Sequence, residues 1–196
     1  MKSREAVKSR EHEIAAGEEV NRFLHLLAQH GLSLEGLVGN NPRSWQERER
    51  AKRVAGLLAG DPEWMNYIRT NRSPPPDLSR IVDPADWKLL EHHFRYITAL
   101  SCIFSGPFPV LTRYLQEPGT LTIFGVKGIV LQKDGHQATL LTEDGEFRNC
   151  RPSPKGIEPG REVTVRDYGE IAAYALTFLV LLVLAVAVFY LLMVSS

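Results

Sequence analysis

The sequence KGIVLQKDGHQATLLTEDGEF, residues 127–147, decides the fold class of this chain. Its apolar residues come in short runs that are twice separated by Asp-Gly, at 134–135 and 144–145. Asp-Gly between apolar runs is the strongest short-range signal for a β-hairpin. Together with the turn and strand of EPGREVTV, 158–165, the pattern predicts a meander of about five strands over 120–165. We expect it to close into a small barrel, because so small a sheet must cover its own face.

The chain before this stretch has helical periodicity and helical caps. Ser44 with Glu47 three residues later forms a capping box, and Asp83-Pro84 places a cap before a proline at the first helical position. The helix opened by Asp83 is predicted to continue to Gly106. Residues at three- and four-residue steps are predicted to face the core. In the helices beginning near 11, 45 and 84 they are Ile14, Val20, Phe23, Leu24 and Leu27; Trp45, Ala51, Val54, Ala55 and Leu58; and Trp87, Leu90, Phe94, Ile97 and Phe104.

Residues 171–194, IAAYALTFLVLLVLAVAVFYLLMV, contain no charge, proline or glycine. At about 1.5 Å per residue a helix of this length spans about 36 Å, enough to cross a hydrocarbon core of about 30 Å. Arg151, Lys155, Arg161 and Arg166 precede it, so the positive-inside rule places the N-terminus in the cytoplasm and the C-terminus outside. The predicted location is the plasma membrane, with a single pass.

The predicted fold class is therefore an α+β membrane protein in three parts. Residues 1–117 form a helical, helix-turn-helix-like domain, 118–168 a small antiparallel β-barrel-like domain, and 169–196 a transmembrane helix.

The composition excludes several function classes. Lysine and arginine number 23, as do aspartate and glutamate, so the chain has no overall basic character to attract nucleic acid. No residue spacing indicates a metal site, a nucleophile or a phosphate-binding loop, and we predict no enzyme activity, cofactor or metal. The charged residues of RSWQERERAKR, 43–53, are interpreted as a solvated helix face. The acidic cluster Glu143, Asp144 and Glu146 is interpreted as turn chemistry with solvated charge.

The β segment resembles the N-terminal domain of RsgI-type anti-sigma factors. The matching motifs are KGIV at 127–130, TEDGEF at 142–147 and GREV at 160–163, followed by an apolar span. The resemblance implies a cytoplasmic β-domain that captures the C-terminal domain of a sigma factor. The residues that it marks as partner-binding are Lys127, Gly128, Ile129, Val130, Asp144, Gly145, Glu146 and Phe147.

The helical part resembles the C-terminal, promoter-reading domain of sigma-I-type sigma factors. HGLSLEGLV, RYITAL and GPFPVLTRYL fit the family pattern, and the resemblance covers most of 11–115. The recognition helix departs from the family, because DPADWKLLEHHFRY, 83–96, replaces a run rich in arginine and lysine. Phosphate and base contacts favour cations and amides, so DNA binding is not expected. The residues of this degenerate recognition helix are Asp86, Trp87, Lys88, Glu91, His92 and Arg95.

These resemblances predict a membrane-anchored, anti-sigma-factor-like regulator of transcription. Its partner would be a sigma-I-type domain, either its own helical domain or one in another protein, together with membrane lipid. Because no counterpart of a sigma factor's polymerase-binding domain is found, we do not expect a complete sigma factor. The alternative is a membrane-tethered helix-turn-helix protein that binds DNA.

Overall fold

The computed structural model describes residues 2–116, 126–150 and 157–165. Seven α-helices, one 3₁₀ helix and four strands lie in these ranges. The helices are α1 (Lys2–Gln29), α2 (Leu34–Val38), α3 (Trp45–Ala59), α4 (Pro62–Asn71), a 3₁₀ helix (Pro76–Arg80), α5 (Pro84–His92), α6 (Phe94–Ser105) and α7 (Pro109–Gln116). The strands are β1 (Val126–Asp134), β2 (Gln137–Thr142), β3 (Phe147–Cys150) and β4 (Glu162–Val165).

The predicted caps define where the helices begin. The Ser44 hydroxyl accepts from the Glu47 amide and the Glu47 carboxylate accepts from the Ser44 amide, each at 3.2 Å, so the capping box of α3 is confirmed. Asp83 caps α5 by accepting from the Ala85 amide at 2.7 Å. Gly31 follows α1 with φ +69°, a left-handed conformation that glycine adopts without strain.

The helix predicted from Asp83 to Gly106 is in fact two helices that are broken at His93. His93 has φ −113° and ψ 34°, which is outside the helical region. Its Nδ1 lies 2.7 Å from the Asn40 carbonyl oxygen. The Asn40 side chain in turn accepts from the Tyr96 amide at 3.3 Å, so the loop before α3 caps the new helix α6. A long-range contact of this kind has no signal in the local periodicity.

The predicted core is mostly confirmed, with two exceptions. Val20, Phe23 and Leu27 are buried on α1, and Ala51 to Leu58 supply the buried face of α3. Ile14 and Trp45 are predicted to face the core, but they are 59% and 58% exposed. Trp45 is the first residue of its helix, and the helical period alone does not determine whether another element covers it.

The four strands form an antiparallel sheet in the order β3-β2-β1-β4. Both Asp-Gly hairpins are confirmed: Asp134 pairs with Gln137 across the first turn, and Leu141 pairs with Phe147 across the second. A bulge lies between Val130 and Gln132 of β1.

The predicted fold class is wrong, because this sheet is open and not a barrel. The prediction of closure rests on the need of a small sheet to cover its own apolar face. Here the helices cover one face: Ile129, Leu141 and Phe147 belong to the same buried cluster as α1, α3 and α6. On the opposite face, Val130 and Leu140 pack with Ile157, which precedes β4, in a second, smaller cluster. The described residues thus form a mixed structure of helices and a small open sheet.

The membrane component of that fold class also lacks support in the described residues. None of their helices is by itself long and apolar enough to cross a membrane. The pair α6 and α7 passes the same length and composition test only when taken together, and it is bent by 118°. The predicted span at 171–194, residues 120–125 of the predicted meander and the link between the two parts at 117–125 lie outside the described residues.

Candidate functional site at the junction of helices and sheet

The helices and the sheet meet along a junction with an apolar centre. Ile129, Leu141 and Phe147 form one cross-strand row, and they are almost fully buried against the helices. The Phe147 ring meets the Tyr96 ring of α6 edge to face, with centroids 5.9 Å apart and planes at 87°. Burial of aromatic surface in this geometry is the main expected source of affinity between the two parts.

Asn41, in the loop between α2 and α3, hydrogen-bonds to the free edge of β3. Its side-chain nitrogen donates to the Phe147 carbonyl at 2.6 Å, and its side-chain oxygen accepts from the Phe147 amide at 2.9 Å. One side-chain amide thus satisfies both main-chain groups that Phe147 presents away from β2. Unpaired edge groups are costly when buried, so Asn41 takes the place of a neighbouring strand at this residue.

Arg48 of α3 forms an ion pair with Asp144 in the hairpin between β2 and β3. Arg48 Nη2 lies 2.5 Å from Asp144 Oδ2, and the two side chains are only 11% and 26% exposed. The Thr142 hydroxyl donates to the other Asp144 oxygen. Burial by itself raises the pKa of the Asp144 carboxyl, but the hydrogen bond from Thr142 and the Arg48 charge outweigh it and hold that pKa below its ordinary value.

The turn residue Gly145 fits closely between α3 and α6. Its carbonyl accepts from the Tyr96 hydroxyl at 2.9 Å. Its φ is +89°, and a Cβ added there would lie 3.0 Å from both Lys52 Cε and Tyr96 Oη. Burial raises the pKa of the Tyr96 hydroxyl, which therefore stays protonated as the donor. Lys52 also donates to the Glu143 carbonyl at 3.3 Å, so the turn is held from two helices.

A second contact joins α1 to the turn before β4. A Cβ added to Gly160 would lie 2.2 Å from the Gly17 amide nitrogen, and one added to Gly17 would lie 3.0 Å from the Pro159 carbonyl oxygen. The two backbones approach so closely that neither position has room for a side chain. The junction is therefore fixed at two separated points, one at each end of the sheet.

The eight residues predicted to bind a partner do not all lie at this junction. Asp144, Gly145 and Phe147 contact the helices directly, and Ile129 is in the shared core. Glu146 lies 3.5 Å from Arg148 within the sheet. On β1, Lys127 is exposed, Gly128 packs against Leu140, and Val130 faces the second cluster. That any of these residues binds a separate partner stays a prediction.

Helix α5, predicted to be a degenerate recognition helix, does not take part in these contacts with the hairpin. Lys88, Glu91 and His92 are exposed, as is Arg95 at the start of α6. Asp86 accepts from Arg50 Nε of α3 at 2.8 Å, and Trp87 is half-buried against the core. Asp86 of this helix therefore neutralises the neighbouring Arg50.

Sequence reasoning missed the residues of the helical part that make the junction. The interpretation of 43–53 as a solvated face is wrong for Arg48 and Lys52, whose side chains are 11% and 12% exposed. The interpretation of the acidic hairpin as solvated is wrong for all three of its acids, because the side chains of Glu143, Asp144 and Glu146 are 15%, 26% and 25% exposed. The sequence did contain one clue: a helix with several cations and a hairpin with three acids occur in a chain of zero net charge. This clue does not show which cation pairs with which acid, because charge alone does not specify geometry.

Among the described residues, no group of three or more histidine, cysteine, aspartate or glutamate side chains could hold a metal ion. The described junction is built from apolar packing, hydrogen bonds from side chains to the main chain, and a partly buried ion pair. These are the components of a protein–protein interface.

Comparison with known proteins finds two kinds of similarity. Residues 126–166 match the RsgI_N family, the anti-sigma factor N-terminus. The chain is also 30% identical over 100 residues to the RNA polymerase sigma factor SigI of Bacillus subtilis (strain 168), a match that covers 50% of this chain and 39% of that protein. It is 26% identical over 104 residues to SigI1 of Acetivibrio thermocellus, covering 53% of this chain and 41% of that sigma factor.

These matches confirm the predicted resemblance to an RsgI-type anti-sigma factor domain combined with sigma-I-like similarity. They support a sigma-factor-related regulator. Both matched families are regulatory. The chain corresponds to less than half the length of the sigma factors that it matches.

Proposed function

We propose that this protein is an anti-sigma-factor-like regulator in which the anti-sigma sheet binds the chain's own sigma-I-type helical domain. One observation carries the proposal: the two family motifs touch each other. Tyr96 belongs to RYITAL of the sigma-like part, and its hydroxyl binds the carbonyl of Gly145 in TEDGEF of the anti-sigma-like part. Phe147 of the same hairpin packs on the Tyr96 ring.

The covalent connection favours this intramolecular complex. Residues 117–125 connect α7 to β1, so the sheet meets its own helical domain at an effective concentration of order millimolar for a link this short. A sigma factor in another protein must displace that domain before it reaches the same sheet surface. The attached helical domain therefore lowers the apparent affinity of the sheet for a sigma factor in another protein.

The direct test cuts the connection. A protease site is inserted at 117–125 in the full chain, the folded protein is cleaved, and the mass of the product is measured by native mass spectrometry. The two pieces should remain together without the covalent link. Separation of the pieces at micromolar concentration would contradict the proposed complex.

Capture in trans is tested by opening the junction from the helical side only. Arg48→Glu places a carboxylate against Asp144 and leaves the sheet's sequence intact. The full chain with Arg48→Glu should retain more of a separate sigma-I-type sigma factor in a pull-down than the natural chain retains. Arg95→Glu is the matched control, because it makes the same charge change at an exposed residue. Equal capture by all three proteins would contradict a surface that is blocked in cis.

For localisation we propose the plasma membrane, with the junction on the cytoplasmic side. The support is the sequence alone: 24 consecutive uncharged residues at 171–194 with basic residues before them. Membrane fractionation of the full chain followed by carbonate extraction tests this location. Recovery in the carbonate-soluble fraction would contradict it.

DNA binding is the second candidate, because Lys88, Glu91, His92 and Arg95 are exposed while the sheet is docked. Glu91 balances one of the two cations there, while Asp86 is paired with Arg50. The net positive charge of this surface is therefore small, which gives little attraction for phosphate. A mobility-shift assay of the full chain at low salt decides the point. A shift that depends on DNA sequence would favour the DNA-binding candidate.

A further inference from the structure

Most of the described polar contacts at the junction are hydrogen bonds to the main chain of the hairpin. Asn41 binds the amide and carbonyl of Phe147, Tyr96 binds the carbonyl of Gly145, and Lys52 binds the carbonyl of Glu143. Main-chain groups are the same in every hairpin of this shape. These contacts therefore recognise the hairpin's conformation and are insensitive to its charged side chains.

The Arg48–Asp144 contact differs, because each partner is a charged side chain that is already held in position. Arg48 Nη1 donates to the carbonyls of Pro42 and Arg43 at 3.0 and 3.2 Å, within the helical part. Asp144 is held by Thr142 within the hairpin. Both groups therefore enter the contact pre-oriented, and little conformational freedom is lost when they meet.

The other hairpin acids lie near cations of the sheet itself. Glu146 is 3.5 Å from Arg148, and Glu143 is 3.9 Å from Lys127 of β1. On the helical side, Lys52 is 2.8 Å from Glu49, one turn earlier on α3. Arg48 and Asp144, by contrast, form an ion pair across the junction. Because both side chains are partly desolvated there, removing one charge leaves the other without a partner and destabilises the complex.

We propose that the Arg48–Asp144 pair determines which sigma-I-type helical domain the sheet accepts. This inference rests on the proposed function. A domain that presents a cation at the position of Arg48 binds, and one that presents a neutral or acidic residue leaves the partly buried Asp144 without a counter-charge. Specificity then arises chiefly from rejection of mismatched domains, while the main-chain contacts supply affinity common to all of them.

The experiment is a charge-reversal cycle on the cleaved full chain with the protease site at 117–125. Dissociation of the two pieces is measured for the natural sequence, Arg48→Glu, Asp144→Arg and the doubly reversed protein. Each single reversal should weaken association at least tenfold, and the double reversal should recover most of that loss. Glu146→Arg is the control: it makes the same charge change in the same hairpin, and it should alter association less than threefold.

The outcomes separate this inference from the proposed function. If the natural pieces separate on cleavage, the intramolecular complex and the specificity inference both fall. If the natural pieces stay together, the doubly reversed protein becomes the test. If its loss of binding free energy equals the sum of the losses of the two single reversals, only the specificity inference is contradicted. The specificity inference is also contradicted, without the proposed function, if Glu146→Arg weakens association as much as Asp144→Arg. The effect would then come from the overall charge of the hairpin and not from the Arg48–Asp144 pair. Asp144→Asn, which keeps the side-chain shape, should give an intermediate loss, and no loss would also overturn the inference.

Discussion

Helices α3 and α5 both carry charges, but the structure uses them differently. On α3, Arg48 and Lys52 are covered and have defined partners in the hairpin. On α5, Lys88 and Glu91 are exposed. In the family that the helical part resembles, α5 corresponds to the helix expected to read a promoter. In this chain the specific contacts with the hairpin lie on α3, the loop before it and Tyr96.

The comparison predicts that substitutions at the junction are costly and that substitutions on α5 are not. The largest effect is expected for Phe147→Ala. Removing a fully buried ring from the shared core should lower the free energy of unfolding by about 3–5 kcal/mol. Urea unfolding measures it.

Trp87→Ala on α5 is the comparison for Phe147→Ala, because Trp87 is a larger ring that is only half-buried. Its loss should cost clearly less than the loss of Phe147. Equal costs would remove the distinction between the two surfaces.

Gly145→Ala should have the next largest effect. At φ +89° an added Cβ strains the backbone by about 1–3 kcal/mol, and it also meets Lys52 and Tyr96. Gly135→Ala is a matched control: its φ is +54°, it is also a hairpin turn residue, and nothing lies within 4 Å of an added Cβ. Thermal unfolding should show a greater loss of stability for Gly145→Ala. A loss no greater than that of Gly135→Ala would show that backbone strain alone acts there.

Asp144→Asn should lower stability by about 1–2 kcal/mol near neutral pH, since Arg48 loses its counter-charge. The pKa of Asp144 is lower in the folded protein than its ordinary value of 3.8. Its contribution is therefore complete above pH 3.8 and is lost as pH falls through the lower folded pKa. Unfolding measured from about pH 6 downward should show the difference between the natural chain and Asp144→Asn shrinking below about pH 4. A constant difference would mean that the Asp144 charge is not what matters.

Tyr96→Phe should cost about 1 kcal/mol, because the Gly145 carbonyl loses a buried donor while the ring packing remains. The measurement is urea unfolding, read against Phe147→Ala. A cost as large as that of Phe147→Ala would mean that the hydroxyl, and not the aromatic packing, holds the hairpin.

The smallest effect is expected for Lys88→Ala with Arg95→Ala. Both side chains are exposed, so stability should change by less than about 0.5 kcal/mol. Retention of a sigma-I-type factor in the pull-down should not change either. A clear loss in either assay would restore a role for the α5 surface.

Local signals in the sequence determined where several elements of this protein begin. Capping boxes and Asp-Pro steps act within one helical turn, and Asp-Gly turns act within four residues, so α3, the start of α5 and both hairpins were predicted correctly. Short motifs also gave the resemblance to anti-sigma and sigma-I-type domains, which the comparisons bear out.

Only the tertiary structure decided how the elements meet. The break at His93 depends on Asn40, more than 50 residues away, and the open sheet depends on helices that cover Ile129, Leu141 and Phe147. The pairing of Arg48 with Asp144 spans 96 residues. Periodicity and charge are properties of neighbours in sequence, whereas closure, burial and ion pairing are properties of neighbours in space. The sequence therefore predicted the hairpin and the helix, and the fold alone showed that each is the other's partner.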